Sequence, residues 1–284
     1  MSSQTSALFD APGPVARSRI RMITLVSLVL IALLIFVAIR QFWVNGQLEP
    51  AKWEQFLNPG IQWYLVKALG NTLLAAAGAA AIALPLGLVL ALGRLSKNRG
   101  VRWSSTIIIE MFRAIPLLLL IYIFFIALPQ YGINPDLFWK LVIPIGLCAG
   151  ASIAEVFRAG ILALPKGQSE GALSLGLSEA QTFWNVIFPQ AVRMVVPSLL
   201  AQVVILLKDT TLGYVVSYGE LQNSAKVLVA SSGNLIQTYL IVTLVYIAIN
   251  VLISKSAERI DRRFQRRRAG AGLQAQAVTL QAQL

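Results

Sequence analysis

The chain is 284 residues long, 57% hydrophobic and only 13% charged, with a mean hydropathy of +0.70, which excludes an ordinary soluble domain and makes lipid the expected solvent. A net charge of +12 would suit a nucleic-acid partner if the basic residues formed one patch, but most of them flank apolar runs, so none is expected. There is no histidine and one cysteine, Cys148, inside an apolar run; imidazole relays, a disulfide and a Cys- or His-based metal site are excluded.

In chain order, residues 1–20 read as an N-terminal tail carrying Arg17 and Arg19, with Arg21 at the start of the next run. The apolar run 21–40 follows, and Arg40, Phe42 and Trp43 stand where a cleaved signal peptide would need small residues, so the run reads as an uncleaved anchor. Residues 41–63 form an external loop with few charges. Five further runs, 64–93, 104–128, 138–164, 191–215 and 234–255, approach or exceed the ~20 apolar residues that cross ~30 Å of hydrocarbon. The expected fold is therefore all-α and polytopic, with six spans and a basic tail at 256–284. Sixteen of the 24 basic residues fall on one side of this arrangement and five on the other, which predicts both termini in the cytoplasm of a multi-pass cell-membrane protein. The six tryptophans, Trp43, Trp53, Trp63, Trp103, Trp139 and Trp184, lie at predicted span ends or in loops, as amphipathic indoles should.

Small residues recur in the second span, from Ala75 to Ala81, and in the fourth, as Gly146-x-x-x-Gly150. Such faces let backbones approach closely, either within the chain or against another subunit. The uncharged cores 141–154 and 194–207 rise only about 21 Å, so the charges flanking them must enter the membrane zone. These are Glu155, Arg158, Lys208 and Asp209, and the third span adds Glu110 and Arg113. Glu110-x-x-Arg113 and Glu155-x-x-Arg158 share the i,i+3 spacing that places opposite charges on one helical face. Charges at such depth face a bundle interior or water, and serve either as a packing lock or as part of a solute path or gate. Lys208-Asp209-Thr210-Thr211, before Leu212-Gly213-Tyr214, predicts a helix broken beside a cavity.

Between the fourth and fifth spans, residues 165–189 read as two short helices around a turn. Pro165 suits a first helical position, Gly176 a helix end, and Ser178-x-x-Gln181 a capping box, with Pro189 expected to stop the second helix. A short helix with the acidic Glu170 beside small Gly171 and Ala172 would suit a groove on a soluble partner.

Glu170-Gly171-Ala172, then Gly176, then Val186-Ile187-Phe188-Pro189 resembles the EAA loop of ABC importer permeases. Lys166-Gly167-Gln168, Phe188-Pro189-Gln190-Ala191-x-Arg193-x-x-x-Pro197, Leu207-Lys208-Asp209-Thr210, Gly70-Asn71-Thr72-Leu73, Glu110-x-Phe112-Arg113-x-x-Pro116 and Ala154-Glu155-x-x-Arg158-x-Gly160 resemble the polar amino-acid class of that family. The resemblance covers about residues 64–255 and implies a five-helix type I core, to which the first helix is an addition. It departs at Gly171, where alanine is usual and glycine lowers helix propensity by about 1 kcal/mol, and at Ala114-Ile115-Pro116, where Gly-Thr-Pro is more frequent.

The resemblance implies a permease subunit that is not itself an enzyme. Its partners would be an ATPase dimer, a second permease copy or homologue, an extracytoplasmic solute-binding protein and the bilayer. The loop, with Lys166, Gly167, Glu170, Gly171, Ala172, Gly176, Ser178 and Pro189, would dock the ATPase; Glu110, Arg113, Glu155, Arg158, Lys208, Asp209 and Thr210 are candidates for the solute pathway or gate. No G-x-x-x-x-G-K-[ST] phosphate loop occurs, so the chain is expected to bind no cofactor, with ATP and magnesium on the partner. Likeness of the Glu110 region to acidic amino-acid permeases suggests glutamate as solute. An ion-coupled secondary transporter or channel using Glu155 or Asp209 is the alternative.

Overall fold

The computed structural model describes residues 13–256 and 259, and divides the chain into two compact units, Met1–Asn58 and Pro59–Leu284. Residues 1–12, 257–258 and 260–284, which include most of the expected tail 256–284, lie outside the described residues. In the first unit α1 (Pro14–Val44) is a 31-residue helix, apolar on all sides from Met22 to Ile39. Its length of about 46 Å exceeds the hydrocarbon thickness. A short helix, Pro50–Glu54, follows, and the Trp53 indole N–H donates to the Gln47 carbonyl at 3.1 Å across the intervening turn.

The second unit holds α2 (Pro59–Leu95), α3 (Arg99–Ala114), α4 (Leu117–Gln130), α5 (Leu137–Leu162), α6 (Lys166–Ser174), α7 (Glu179–Val216), α8 (Leu221–Ser232) and α9 (Leu235–Ser256). Helices α1, α2, α5, α7 and α9 are each long and apolar enough to cross a membrane. The expected span 104–128 is not one rod: α3 and α4 meet at 95°. Proline forces its predecessor into extended backbone, and Ile115 at φ −73°, ψ 126° followed by Pro116 at φ −60°, ψ 126° supplies the bend. Helix α8 lies in a stretch that hydropathy leaves as a loop.

The centre of the unit is the contact of α2 with α5. Ala75, Ala79, Ala83, Gly87 and Ala91 are buried along α2, and Gly146, Gly150, Ala151 and Ala154 along α5. A Cβ on Gly146 would come within 2.8 Å of Ile82, and one on Gly150 within 2.9 Å of Leu86. Of the two uses open to the small-residue faces, these glycines serve packing within the chain.

Of the two prolines near the ends of runs, Pro189 is absorbed inside a helix that continues, whereas α4 ends one residue after Pro129. Five-residue π turns, Ile123–Ala127 and Phe183–Ile187, stand just before Leu128-Pro129 and Phe188-Pro189. Widening the turn gives the proline ring room against the carbonyl four residues back, so the helix continues. The expected stop at Pro189 is thus corrected: α7 runs from the loop through Pro189 to Val216.

Gly150→Val is expected to lower stability by about 1–3 kcal/mol, the usual cost of overpacking a tight contact. Denaturant unfolding in detergent micelles checks this; an unchanged midpoint would mean that α2 and α5 are not held at this separation.

Candidate functional site

Where α5 hands over to α7, each end of a two-helix loop is locked by backbone chemistry. Pro165 is the N-cap of α6 (φ −58°, ψ 133°), not its first helical residue as expected. Lys166, Gly167, Glu170 and Gly171 are exposed along α6, and Ala172 is buried. Gly176, at φ +85°, occupies the left-handed region that glycine enters without steric cost. Its N–H donates to the Leu173 carbonyl at 2.9 Å and that of Leu177 to the Ala172 carbonyl at 3.3 Å, the paired bonds that close a helix end. Ser178 then opens α7 with the expected capping box: its N–H donates to Gln181 Oε1 at 2.9 Å, and the Gln181 N–H to Ser178 Oγ at 3.3 Å.

Gln190 Nε2 donates to Gln168 Oε1 at 3.0 Å and ties α6 to α7. Between these helices lies a cavity of about 310 Å³ lined by Gly167, Gly171, Ala172, Leu175, Leu177 and Val186. Leu175 is 83% exposed on the rigid turn. A large apolar side chain held out beside a groove lined by small and aliphatic residues makes a surface suited to a protein partner.

The two Glu-x-x-Arg pairs meet at this same end of the core, joined by a residue that sequence patterning places only among the surface basic residues. Arg94, in the last turn of α2, reaches Glu110 of α3 (Nη2 to Oε1, 3.2 Å) and makes a short ion pair with Glu155 of α5. Arg158 Nε and Nη2 donate to Glu155 Oε2 at 3.1 and 2.8 Å, and Arg113 Nη1 lies 3.4 Å from Glu110 Oε2. Three guanidiniums face two carboxylates, so the cluster carries one net positive charge. Arg94 and Glu155 are each 22% exposed, against 52% for Glu110 and 44% for Arg113; the Arg94–Glu155 pair is its drier half. Nearby, Lys97 Nζ contacts both oxygens of Glu179, the first residue of α7, at 2.6 and 2.7 Å.

Lys208, Asp209 and Thr210 are not part of this cluster. They lie far along α7, where the α-helix tightens into a 3₁₀ segment, Thr210–Val216, in place of the expected outright break. Buried Thr210 donates its hydroxyl to the Leu207 carbonyl at 2.7 Å, and Thr211 does the same to that of Lys208. Neither Lys208 nor Asp209 forms an ion pair with a described residue.

Away from the loop, a second polar centre gathers around Glu220, which is fully buried. Its carboxylate caps α8, accepting from the N–H of Gln222 at 2.8 Å and of Asn223 at 2.6 Å, and from the Tyr246 hydroxyl of α9 at 3.0 Å. On either side, the Leu221 N–H donates to Thr72 Oγ1 at 3.0 Å, and Asn71 Nδ2 to the Gly219 carbonyl at 2.8 Å. This bracket joins α2, α8 and α9. Sequence reasoning singled out Asn71-Thr72 only as part of a family motif and missed Glu220, although an acid opening a helical stretch is a capping signal. The titratable groups near it are Tyr218 and Tyr246, and no arginine or lysine among the described residues pairs with it. Burial pushes its carboxyl up from 4.5 to about 7, against the lowering effect of the three donors.

Apolar spans around a small-residue core, one of them sharply bent, with a capped loop exposed at one end, define the membrane-spanning subunit of a transport assembly. The chain belongs to the family of binding-protein-dependent transport system inner membrane components, which matches residues 83–266. It is 39% identical over 230 residues to the glutamate transport system permease protein GluD of Corynebacterium glutamicum, covering 79% of this chain and 84% of that one. Similarity to the probable glutamine ABC transporter permease protein GlnP of Bacillus subtilis is 33% over 180 residues, 62% of this chain and 83% of that one. Among solved structures, an amino acid ABC transporter crystallised with histidines superposes with a TM-score of 0.68 at 28% identity, over 71% of this chain and 94% of that one. The family expected from the loop motifs is the family found.

Arg94→Met strips Glu155 of its inter-helix partner and is expected to cost about 2 kcal/mol, the scale for a charged hydrogen bond in a partly dry site. Arg113→Met removes a longer, wetter pair and should cost no more than about 1 kcal/mol. Denaturant unfolding of both variants in one detergent checks the order, and equal costs would remove Arg94 from the centre of the cluster.

For Glu220, a raised carboxyl value means that the folded chain holds the proton more tightly than the unfolded one. The stabilisation is complete below a pH of about 4.5 and is lost as pH rises through about 7. Glu220→Gln, neutral throughout, should flatten the fall in unfolding temperature across that window. A wild-type slope retained by the variant would place the titration elsewhere.

Proposed function

We propose that this chain is the permease subunit of an ATP-driven importer in the cytoplasmic membrane, with an amino acid as solute and glutamate preferred. The observation that carries the reading is the capped, exposed loop 165–189 with its small-residue groove, in a chain 39% identical to a glutamate transport permease. Exposed Glu170, Gly171 and the groove around Ala172 are the face that enters a cleft on an ATPase dimer. Gly176 and Ser178 fix the turn, Lys166 and Gly167 begin the docking helix, and Pro189 lies in the helix that carries motion into the core. ATP and magnesium belong to the ATPase. The loop faces the cytoplasm with both termini, a second permease copy or homologue completes the path, and a solute-binding protein delivers from outside.

Closure of the ATPase pair would pull the loop and swing the bundle between inward and outward access, with the chain itself doing no chemistry. Glu110, Arg113, Glu155 and Arg158 form the inner gate. Lys208, Asp209 and Thr210 line the path where α7 tightens. A net positive inner cluster suits an anionic amino acid leaving toward the cytoplasm.

The test is reconstitution of the chain with its ATPase and binding protein in proteoliposomes. Glutamate uptake should require ATP, and unlabelled glutamate should compete better than glutamine. Glu170→Lys should insert normally but lose co-purification with the ATPase. Uptake driven by an ion gradient without ATPase would overturn the reading in favour of a secondary transporter.

A further inference from the structure

The docking role proposed above leaves open how movement of the loop reaches α3, which is set at 95° to the rest of its own span. One route is plain: α7 is continuous from Glu179 through Pro189, and Gln168–Gln190 fastens α6 to it. That route moves α7, which shares apolar packing with Ile109 of α3 but no ion pair with it among the described residues. A second begins at Glu179, both of whose carboxylate oxygens lie within 2.7 Å of Lys97 Nζ.

Lys97 sits in the three-residue connection between α2 and α3, and this connection is stiff. The Ser96 N–H donates to the Gly93 carbonyl at 3.1 Å, and the Asn98 N–H to Ser96 Oγ at 3.2 Å. Asn98 Oδ1 caps α3 by accepting from Gly100 and Val101 at 2.9 and 3.3 Å. Three residues before Lys97 is Arg94, which grips Glu110 of α3 and Glu155 of α5. A pull on Lys97 therefore reaches the capped start of α3 and the arginine that holds its far end, with no flexible residue between. We propose that Lys97 and Glu179 are positioning residues for transport: their ion pair straps the α2–α3 connection to the docking loop, so that α3 and the Arg94 cluster follow the loop. This rests on the docking reading and adds the element that couples it to the gate.

Both side chains are largely exposed, at 83% and 71%, so the pair contributes little to folding, and charge reversal there leaves a foldable protein. The strap acts on coupling instead. In proteoliposomes holding the full assembly, Lys97→Glu and Glu179→Lys should each leave insertion and basal ATP hydrolysis in place. Each should lower solute moved per ATP by about fivefold, the upper end of what an exposed pair is worth. The double exchange, which rebuilds the pair with reversed charges, should return the ratio to within about twofold of wild type. Single variants with a wild-type ratio would overturn the strap, and so would single losses that the double exchange does not repair. A wild-type chain that does not co-purify with the ATPase would overturn the docking reading itself, and the strap with it.

Discussion

The close approach of α2 and α5 is the constraint on which the other features depend. Lipid offers apolar side chains no reason to leave it for one another, so two helices stay together through packing and polar contacts. Gly87, Gly146, Gly150 and the alanines between them bring the backbones near enough for Ile82, Leu86 and Ile153 to fill the seam. With that separation set, the last turn of α2 puts Arg94 within reach of Glu155, and the earlier turns put Asn71 and Thr72 beside the start of α8. Both polar centres hang from the same apolar seam.

The two centres handle charge differently. At the loop end, charges are paired, and the surplus lies on arginines that also reach water. Removing one partner there strands a charge, which costs more than the intact pair contributes. At Glu220 there is no counter-ion among the described residues, and two backbone N–H groups and a tyrosine hydroxyl do what a cation would do. Hydrogen bonds alone do not repay burial of a full negative charge, so the carboxyl drifts toward its neutral form near neutral pH. One end is held by paired opposite charges, and the other by hydrogen bonds to a single buried carboxyl.

Much of this was readable in the residues because the signals were local. The capping box at Ser178 and Gln181, the left-handed Gly176 and the i,i+3 pairs all involve neighbours along a helix, and all form as spacing predicts. What escaped was non-local or depended on a compromise in the backbone. Arg94 and Glu155 are 61 residues apart, and no periodicity links them. Pro189 reads as a stop because proline costs a regular α-helix a bond and a clash, but a π turn removes the clash. Hydropathy merged α3 with α4 because it averages over Ile115-Pro116, and it passed over α8, which is too short and too polar to register as a span.

The π turn at Phe183–Ile187 bears on how the loop and the core act together. Had Pro189 ended a helix, the loop would join α7 through a flexible junction, and a partner pushing on Gly171 or Leu175 would bend that junction before moving anything else. The wider turn keeps the hydrogen-bonded column running, and Phe183, Trp184 and Phe188 stack around it with ring centroids 5.0 to 5.9 Å apart. From there α7 runs on as continuous helix, with Pro197 inside it, to Lys208, Asp209 and the 3₁₀ segment, the next place where its hydrogen-bond pattern changes. Tightening from 3.6 to 3.0 residues per turn rotates every following side chain, so a small change in where that tightening begins re-aims Thr210 and Tyr214. A rigid input end and a geometrically soft far end on one helix are what a moving part needs.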